Sequence, residues 1–387
     1  MLKKILAGTL GLALLGLMVY ADGCAPPKEA GPYLIGGVFS ITGDQSYLGE
    51  PERNTMEMVV AEINARGGIK GRPVKAVIED DEGDVTKARL KVTKLLQQDK
   101  VLAIIGPSLT HTSMTVLEVT QKAKVPLISC AAGVIITTPV KDRHWVFKTA
   151  QTDRLAVSRI YQYLKEHGLT QVAILTASTT FGDSGRKELT SLADEYGIKI
   201  LAQEVFGEKD TDMTPQLAKI KGMAAQAVIC WGTGRAPALV AKNMKQLEFK
   251  IPLIQSHGAA SPKFIEGAGD AADGIILPAG KLVIYKNLPD SDPQKAVCRA
   301  YAEKYFARFK KPESSFGGYA YDAMGLLTRA LEKSGSDQEK LRSELENIKN
   351  YVGVSGVFNL SPEDHNGLSP AAFVMVKIEG GAFKLVD

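Results

Sequence analysis

The sequence has few of the residues that usually mark metal, redox or nucleic-acid chemistry. Its 387 residues include 4 cysteines and 5 histidines, and no two cysteines form a C-x-x-C pair. The cysteines therefore suggest neither a zinc site nor a dithiol redox centre. The formal net charge is only +4, and the basic residues form no long block, which argues against nucleic acid as a partner.

Long apolar runs are also scarce, and the one clear example lies at the N-terminus. The basic start MLKK precedes ILAGTLGLALLGLMVY, a stretch of signal-peptide type that is somewhat short for a stable membrane span. We predict that residues 1–23 are a signal peptide. The ADGC that ends this region looks like a lipobox, which would make Cys24 the lipidated N-terminus. Ordinary cleavage after VYA and a retained anchor are the alternatives, and all three export the chain.

The three later cysteines do not point to a disulfide framework. Cys130 and Cys230 each end an apolar, strand-like run. We predict that both are buried free thiols.

Strand-like and helix-like segments alternate along most of the remaining chain. YLIGGVFS, VKAVIED, VLAIIG and VPLISC are separated by segments with helical spacing of apolar residues, and the alternation restarts after WVFKTAQTD. This pattern predicts an α/β fold of two doubly wound lobes with parallel sheets. We assign residues 32–151 plus 281–354 to lobe 1, and residues 152–280 plus 355–387 to lobe 2. Ligands of open α/β sheets bind at the carboxyl ends of the strands, so we expect a ligand between the lobes.

The segment IIGPSLTHTSMTV combines a strand end with five hydroxyl residues and a histidine. The hydroxyls can cap the following helix, hold an anion, or do both. Catalysis is the third interpretation, but Thr110 and His111 are neighbours that point about 100° apart on a helix, and no G-x-S-x-G motif is present. We therefore predict a binding site without a nucleophile.

Several stretches, in order along the chain, resemble the periplasmic solute-binding proteins of branched-chain-amino-acid-type ABC transporters. They are GVFSITGDQSYLGEPERNTMEMVVAEINARGGIKGRPV, EDDEGDVTKA, AIIGPSLTHTS, VPLIS, FGDSG, GAGDAADGIILP and YAYDAMGLLTRAL. The resemblance implies a type I periplasmic binding fold with a three-crossover hinge. It also implies a monomer that delivers a small carboxylate to an inner-membrane ABC permease from the periplasm, without catalysis, cofactor or metal.

The resemblance places the ligand carboxylate on lobe 1. The hydroxyl that grips it is best matched by Thr110, with Ser108 and Leu109 beside it. A second contact region falls on three small residues, Ala131, Ala132 and Gly133. Gly133 replaces the usual hydroxyl, which would leave a backbone N–H as the donor. Tyr47 and Leu48 compete for one further position facing the ligand, and Phe316 or Tyr319 either reaches the cleft or packs in the core.

Lobe 2 departs from the family pattern. The glutamate that typically holds the ligand ammonium falls on His257, which cannot replace a carboxylate in that role. With Phe181, Trp231 and Arg235, His257 predicts a neutral-to-basic, aromatic wall. We expect a carboxylate without an α-amine, such as an aromatic acid, in preference to a branched-chain amino acid. The alternatives are a solvent-exposed turn for His257, a plain surface charge for Arg235, and a ligand-sensing receptor domain for the whole chain.

Overall fold

The computed structural model of the protein describes residues 31–386. The predicted signal peptide and Cys24 lie outside the described residues. Within them, no helix is both long and apolar enough to cross a membrane.

The first sheet has five parallel strands in the order β2-β1-β3-β4-β5. Its strands are β1 (Tyr33–Phe39), β2 (Val74–Asp80), β3 (Ala103–Ile105), β4 (Leu127–Ser129) and β5 (Val146–Lys148). Strand β1 lies between β2 and β3 and pairs Ile35 with Ala103 of β3. These strands match the apolar runs identified in the sequence, because a parallel sheet is buried on both faces.

The second sheet has seven strands in the order β14-β13-β10-β9-β8-β6-β7, and the two C-terminal strands run antiparallel to their neighbours. Its strands are β6 (Gln171–Ala177), β7 (Lys199–Phe206), β8 (Ala227–Trp231), β9 (Leu253–Gln255), β10 (Ile276–Gly280), β13 (Phe373–Glu379) and β14 (Ala382–Leu385). A short hairpin of β11 (Tyr351–Val352) and β12 (Val357–Phe358) stands apart from both sheets. The predicted α/β fold of two lobes is confirmed.

Helices cover both faces of each sheet. They are α1 (Ser46–Ala65), α2 (Val85–Gln97), α3 (Thr110–Ala123), α4 (Asp153–Glu166), α5 (Thr180–Tyr196), α6 (Thr214–Lys221), α7 (Ala236–Gln246), α8 (Pro262–Ala268), α9 (Gln294–Phe309), α10 (Ser315–Ser334) and α11 (Gln338–Glu346). Helix α1 shows how the pattern works: Met56, Val59 and Ile63 recur at helical spacing and are all buried. It begins at Ser46, with Pro51 inside it.

The C-terminal segment does not follow the predicted lobe boundary at residue 355. Phe358 and Leu360 are buried in the same cluster as Phe39 and Ile105 of the first sheet. The His365 ring also hydrogen-bonds to the carbonyl oxygen of Val146 at the end of that sheet, at 2.9 Å. The chain therefore returns to the second sheet only with β13, because Phe358, Leu360 and Leu368 of the segment before it pack in the first-lobe core.

Candidate functional site

A small cavity lies between the lobes, at the carboxyl ends of the strands of both sheets. The cavity volume is about 40 Å³. Residues from both lobes line it: Leu48, Ser108, Leu109, Thr110, His111, Cys130, Ala131, Ala132, Phe316 and Tyr319 on one side, and Thr179, Phe181, Glu208, Thr233, His257 and Gly258 on the other.

The N-terminus of α3 opens onto this cavity without a side-chain cap. Leu109 occupies the cap position, and no side-chain hydrogen bond from the described residues caps the helix, so the interpretation of the hydroxyls as helix caps is wrong. The hydroxyls are used elsewhere: Thr112 donates to the Leu109 carbonyl oxygen at 3.1 Å, and Ser113 pairs with Ser129 at 2.8 Å. Free N–H groups at a helix start, together with the helix dipole, favour an anion.

Thr110 stands at the first position of α3 with its hydroxyl oxygen accepting from the Gly133 N–H at 3.3 Å. An added Cβ at Gly133 would lie 2.5 Å from Thr110 Cγ2, so the close approach requires glycine. The predicted role of the Gly133 N–H as a ligand donor is therefore corrected: it supports Thr110. Because Thr110 Oγ1 accepts this bond, the proton of its own hydroxyl remains available to a ligand.

The backbone groups of Ala131 and Ala132 are also engaged in hydrogen bonds within the protein. The Ala131 N–H donates to Ser129 Oγ at 3.1 Å, and the Ala132 carbonyl oxygen accepts from Lys148 Nζ at 2.6 Å. Lys148 is fully buried, and burial lowers its pKa to about 7, with Asp153 and Asp364 acting in the opposite direction. The Ala131 and Ala132 side chains thus contribute small apolar surface to the cavity, beside a buried amine.

Ser108 lines the cavity and is hydrogen-bonded below it. Its oxygen accepts from the Ser40 N–H at 3.1 Å, and its hydroxyl bonds to the buried carboxyl group of Glu52. The turn that carries Ser108 depends on Gly106, whose φ is +92° and whose added Cβ would lie 2.0 Å from the Val38 carbonyl oxygen. Sequence reasoning identified Ser108 but not Glu52.

His257 lies on the opposite wall, inside a ring of aromatic side chains. Its ring centroid is 5.6 Å from Phe181, 5.7 Å from Trp231 and 5.3 Å from Phe373. The side chain is 3% exposed, which excludes the solvent-exposed turn, and neither ring nitrogen has a hydrogen-bond partner among the described residues. Burial, and then the charge of Lys148, lower the pKa of His257 to about 3, so the ring is neutral.

The other predicted residues of this wall fall in different places. Phe181 lines the cavity, whereas Trp231 is fully buried behind it, with ring centroids 5.7 Å apart. Arg235 is exposed and lines a neighbouring surface pocket. On this side the cavity is therefore lined by the aromatic Phe181 and the neutral His257, with Glu208 as its one carboxylate among the described residues, and Trp231 and Arg235 do not line it.

The sequence left open whether Tyr47 or Leu48 faces the ligand, and the two residues have different positions in the structure. Leu48 lines the cavity, and Tyr47 reaches across the mouth, where its hydroxyl oxygen accepts from the Gly234 N–H at 2.8 Å. Burial raises the pKa of Tyr47 to about 12. Phe316 packs edge-to-face on the Tyr47 ring at 5.5 Å. Both Phe316 and Tyr319 reach the cleft.

Sequence reasoning missed Thr179, Thr233, Glu208 and Gly258, which also line the cavity. Thr179 could have been recognised as a helix-capping residue, since its side chain caps α5 by accepting from the Gly182 N–H at 3.0 Å. Glu208 follows β7 in a polar loop that has no distinguishing motif. His111 hydrogen-bonds through Nε2 to the Gly83 carbonyl oxygen at 2.9 Å. This nitrogen is therefore not placed to act as a base for Thr110.

Comparisons with known proteins agree with this architecture. The family described as periplasmic binding protein matches residues 32–382. The leucine-, isoleucine-, valine-, threonine- and alanine-binding protein of Pseudomonas aeruginosa is 23% identical over 307 residues, 79% of each chain. A Leu/Ile/Val-binding protein homologue of Brucella abortus is 24% identical, over 87% of this chain and 88% of its own. The crystal structure of an extracellular ligand-binding receptor from Rhodopseudomonas palustris superposes with a TM-score of 0.86 at 28% identity, covering 92% of this chain and all of the other.

Proposed function

Since this chain belongs to the periplasmic binding protein family, we propose that it is the extracytoplasmic solute-binding component of an ABC importer. It captures a small carboxylate between its lobes and presents the closed form to an inner-membrane permease. The favoured ligand is an aromatic or other carboxylate without an α-amine. The protein acts as a monomer and without chemistry on its ligand.

One observation carries the choice of ligand: the two walls of the cavity differ in what they can bind. The first-lobe wall offers the uncapped start of α3 and the Thr110 hydroxyl, which suit a carboxylate. The second-lobe wall offers Phe181 and the neutral His257 ring, whose two nitrogens have no hydrogen-bond partner within residues 31–386. An aromatic ring with a phenolic hydroxyl would pack on Phe181 and satisfy a ring nitrogen, whereas an ammonium finds no carboxylate at this position.

An amino acid is the second candidate, and Glu208 is the observation that favours it. This exposed carboxylate lies on the rim of the cavity and is able to pair with an ammonium. The relatives named for leucine, isoleucine and valine support the same alternative. In that case Glu208→Gln removes leucine binding and leaves the binding of benzoate-type acids unchanged.

The test is a thermal-shift comparison of benzoate, 4-hydroxybenzoate, leucine and valine, with His257→Glu and the matched control His257→Gln. We expect the hydroxyphenyl acids to raise the melting temperature of the unmodified protein most. His257→Glu should shift the preference towards leucine, because a carboxylate then faces the ammonium, and His257→Gln should not. Stabilisation by the aliphatic amino acids alone, or an unchanged preference in His257→Glu, would refute the ligand class.

The cellular setting belongs to the same proposal. Cys24 is the proposed lipid-bearing residue after removal of residues 1–23. Mass spectrometry of the mature N-terminus distinguishes a diacylglyceryl-modified Cys24 from ordinary cleavage after Ala21.

A further inference from the structure

We propose that Glu52, held as a neutral carboxylic acid, turns the Ser108 hydroxyl towards the bound carboxylate and so makes ligand capture dependent on pH. This inference rests on the proposed function, because it takes Ser108 as a contact of the ligand carboxylate.

The hydrogen bonds around Ser108 leave little freedom for its proton. Ser108 Oγ accepts from the Ser40 N–H at 3.1 Å and is bonded to a Glu52 carboxyl oxygen. A serine hydroxyl has one proton to donate and two lone pairs that accept. If Ser108 donates its proton to Glu52, it has none for a ligand, and it presents only oxygen to an incoming carboxylate.

The surroundings of Glu52 favour the neutral acid. Glu52 lies on α1, one turn after Leu48, and is 0% exposed. Within the described chain, its Oε1 atom has no hydrogen-bond partner, and the one neighbouring charge that acts on it is that of Asp81. Burial, the largest cause, and the charge of Asp81 raise the pKa of Glu52 well above its usual range, while the Ser108 hydrogen bond lowers it. An unpaired buried carboxylate is costly, so the group takes up a proton.

Among the described residues, the titratable groups that face Glu52 add no compensating cation. Asp81 comes from the loop after β2, Cys130 from the end of β4 and Tyr319 from α10. Asp81 accepts from the Ser40 hydroxyl at 2.7 Å, so two buried carboxyl groups are linked through Ser40 and Ser108. Negative charge on either carboxyl group opposes ionisation of the other.

The direction of the hydrogen bond between Glu52 and Ser108 then determines whether Ser108 presents a proton or a lone pair to the ligand. Neutral Glu52 donates its O–H to Ser108 Oγ, which now accepts from both Glu52 and the Ser40 N–H. The Ser108 proton is free to point into the cavity and donate to a carboxylate. When Glu52 ionises, the Ser108 proton turns back to it, and the ligand meets a lone pair and a buried negative charge instead.

Ligand affinity should therefore depend on the protonation of Glu52. Binding is full below the pKa of Glu52 and weakens above it, by up to roughly tenfold per pH unit. Glu52→Gln has nearly the same shape and donates an N–H to Ser108 Oγ at every pH. It should keep the affinity of the neutral acid and lose this part of the pH dependence.

The experiment measures the dissociation constants of 4-hydroxybenzoate and L-leucine between pH 6 and pH 10 by calorimetry. The proteins are the unmodified chain, Glu52→Gln, Ser108→Ala and the double variant. We expect Glu52→Gln to bind more tightly than the unmodified protein at the alkaline end and equally at pH 6. This gain should shrink when Ser108 is alanine, because the two residues act through one hydrogen bond. Infrared spectroscopy of the ligand-free protein should show a protonated carboxylic-acid band that Glu52→Gln removes.

The same pH profile in Glu52→Gln as in the unmodified protein, or an ionised Glu52 in the infrared spectrum at pH 7, overturns this inference and leaves the proposed function intact. Failure of every carboxylate to bind at any pH overturns the proposed function as well. Should Glu52→Gln not fold, proton uptake on binding by the unmodified protein near its alkaline midpoint, measured in two buffers, decides instead: uptake supports the inference and its absence overturns it.

Discussion

Tyr47 and Gly234 join the two lobes directly, with the tyrosine hydroxyl oxygen 2.8 Å from the glycine nitrogen. Tyr47 comes from the first turn of α1 in lobe 1, and Gly234 from the loop after β8 in lobe 2. The bond therefore exists only when the lobes are closed. A contact confined to the closed state stabilises that state by its full free energy.

Tyr47→Phe should loosen the closed form without altering the cavity wall, since Leu48 and not Tyr47 lines it. Loss of one hydrogen bond of this kind costs about 1 kcal/mol, which corresponds to a roughly fivefold faster ligand release. Stopped-flow release of bound ligand measures it. The control is Tyr285→Phe, which changes a tyrosine outside the cavity. Equal release rates in all three proteins would show that the Tyr47–Gly234 hydrogen bond does not hold the lobes closed.

Gly133→Ala should weaken ligand binding, because the new methyl group would lie 2.5 Å from Thr110 Cγ2 and displace the Thr110 hydroxyl. We expect a loss of about 1–3 kcal/mol in binding, in the range that overpacking costs. Gly222→Ala is the matched control, since its added Cβ meets only the Lys219 carbonyl oxygen at 3.7 Å. Titration calorimetry gives both affinities. Unchanged affinity in Gly133→Ala would mean that Thr110 does not hold the ligand.

The stability of the protein should carry a signature of His257 at acid pH. Its pKa falls from an ordinary 6.5 to about 3 in the folded chain, so between these values the unfolded chain binds the extra proton. Stability is therefore full above pH 6.5 and is lost as the pH falls towards 3, by up to about 1.4 kcal/mol per pH unit. Urea unfolding of the unmodified protein and His257→Gln, compared at pH 7 and pH 4.5, should show a smaller loss in the variant. Parallel losses would place His257 in a more polar setting than this cavity.

Most of the fold could be predicted from the sequence, because the strands of a buried sheet are continuous apolar runs and the helices between them show helical spacing. The first-lobe strands lie where these runs do. The C-terminal segment could not be assigned, since Phe358 and Leu360 show only that they are buried and not which core they join.

The sequence indicated which loops form the site, but not which of their side chains face the cavity. Phe181 lies in the first turn of α5 and Trp231 is the last residue of β8, and only Phe181 faces the cleft, because the Trp231 side chain points from its strand into the core. Tyr47 and Leu48 differ by one helical position, and only Leu48 lines the cavity. Glu52 could have been placed on the face of Leu48 from its spacing of four residues, but no sequence pattern indicates that a glutamate will be buried.

The three described cysteines, Cys130, Cys230 and Cys298, are all buried and free. The prediction of buried thiols at the first two is confirmed. Non-covalent interactions therefore hold residues 31–386 together, with no disulfide between the cysteines of this region. No disulfide bond has to form for this region to fold, so we expect it to refold equally well under reducing and oxidising conditions.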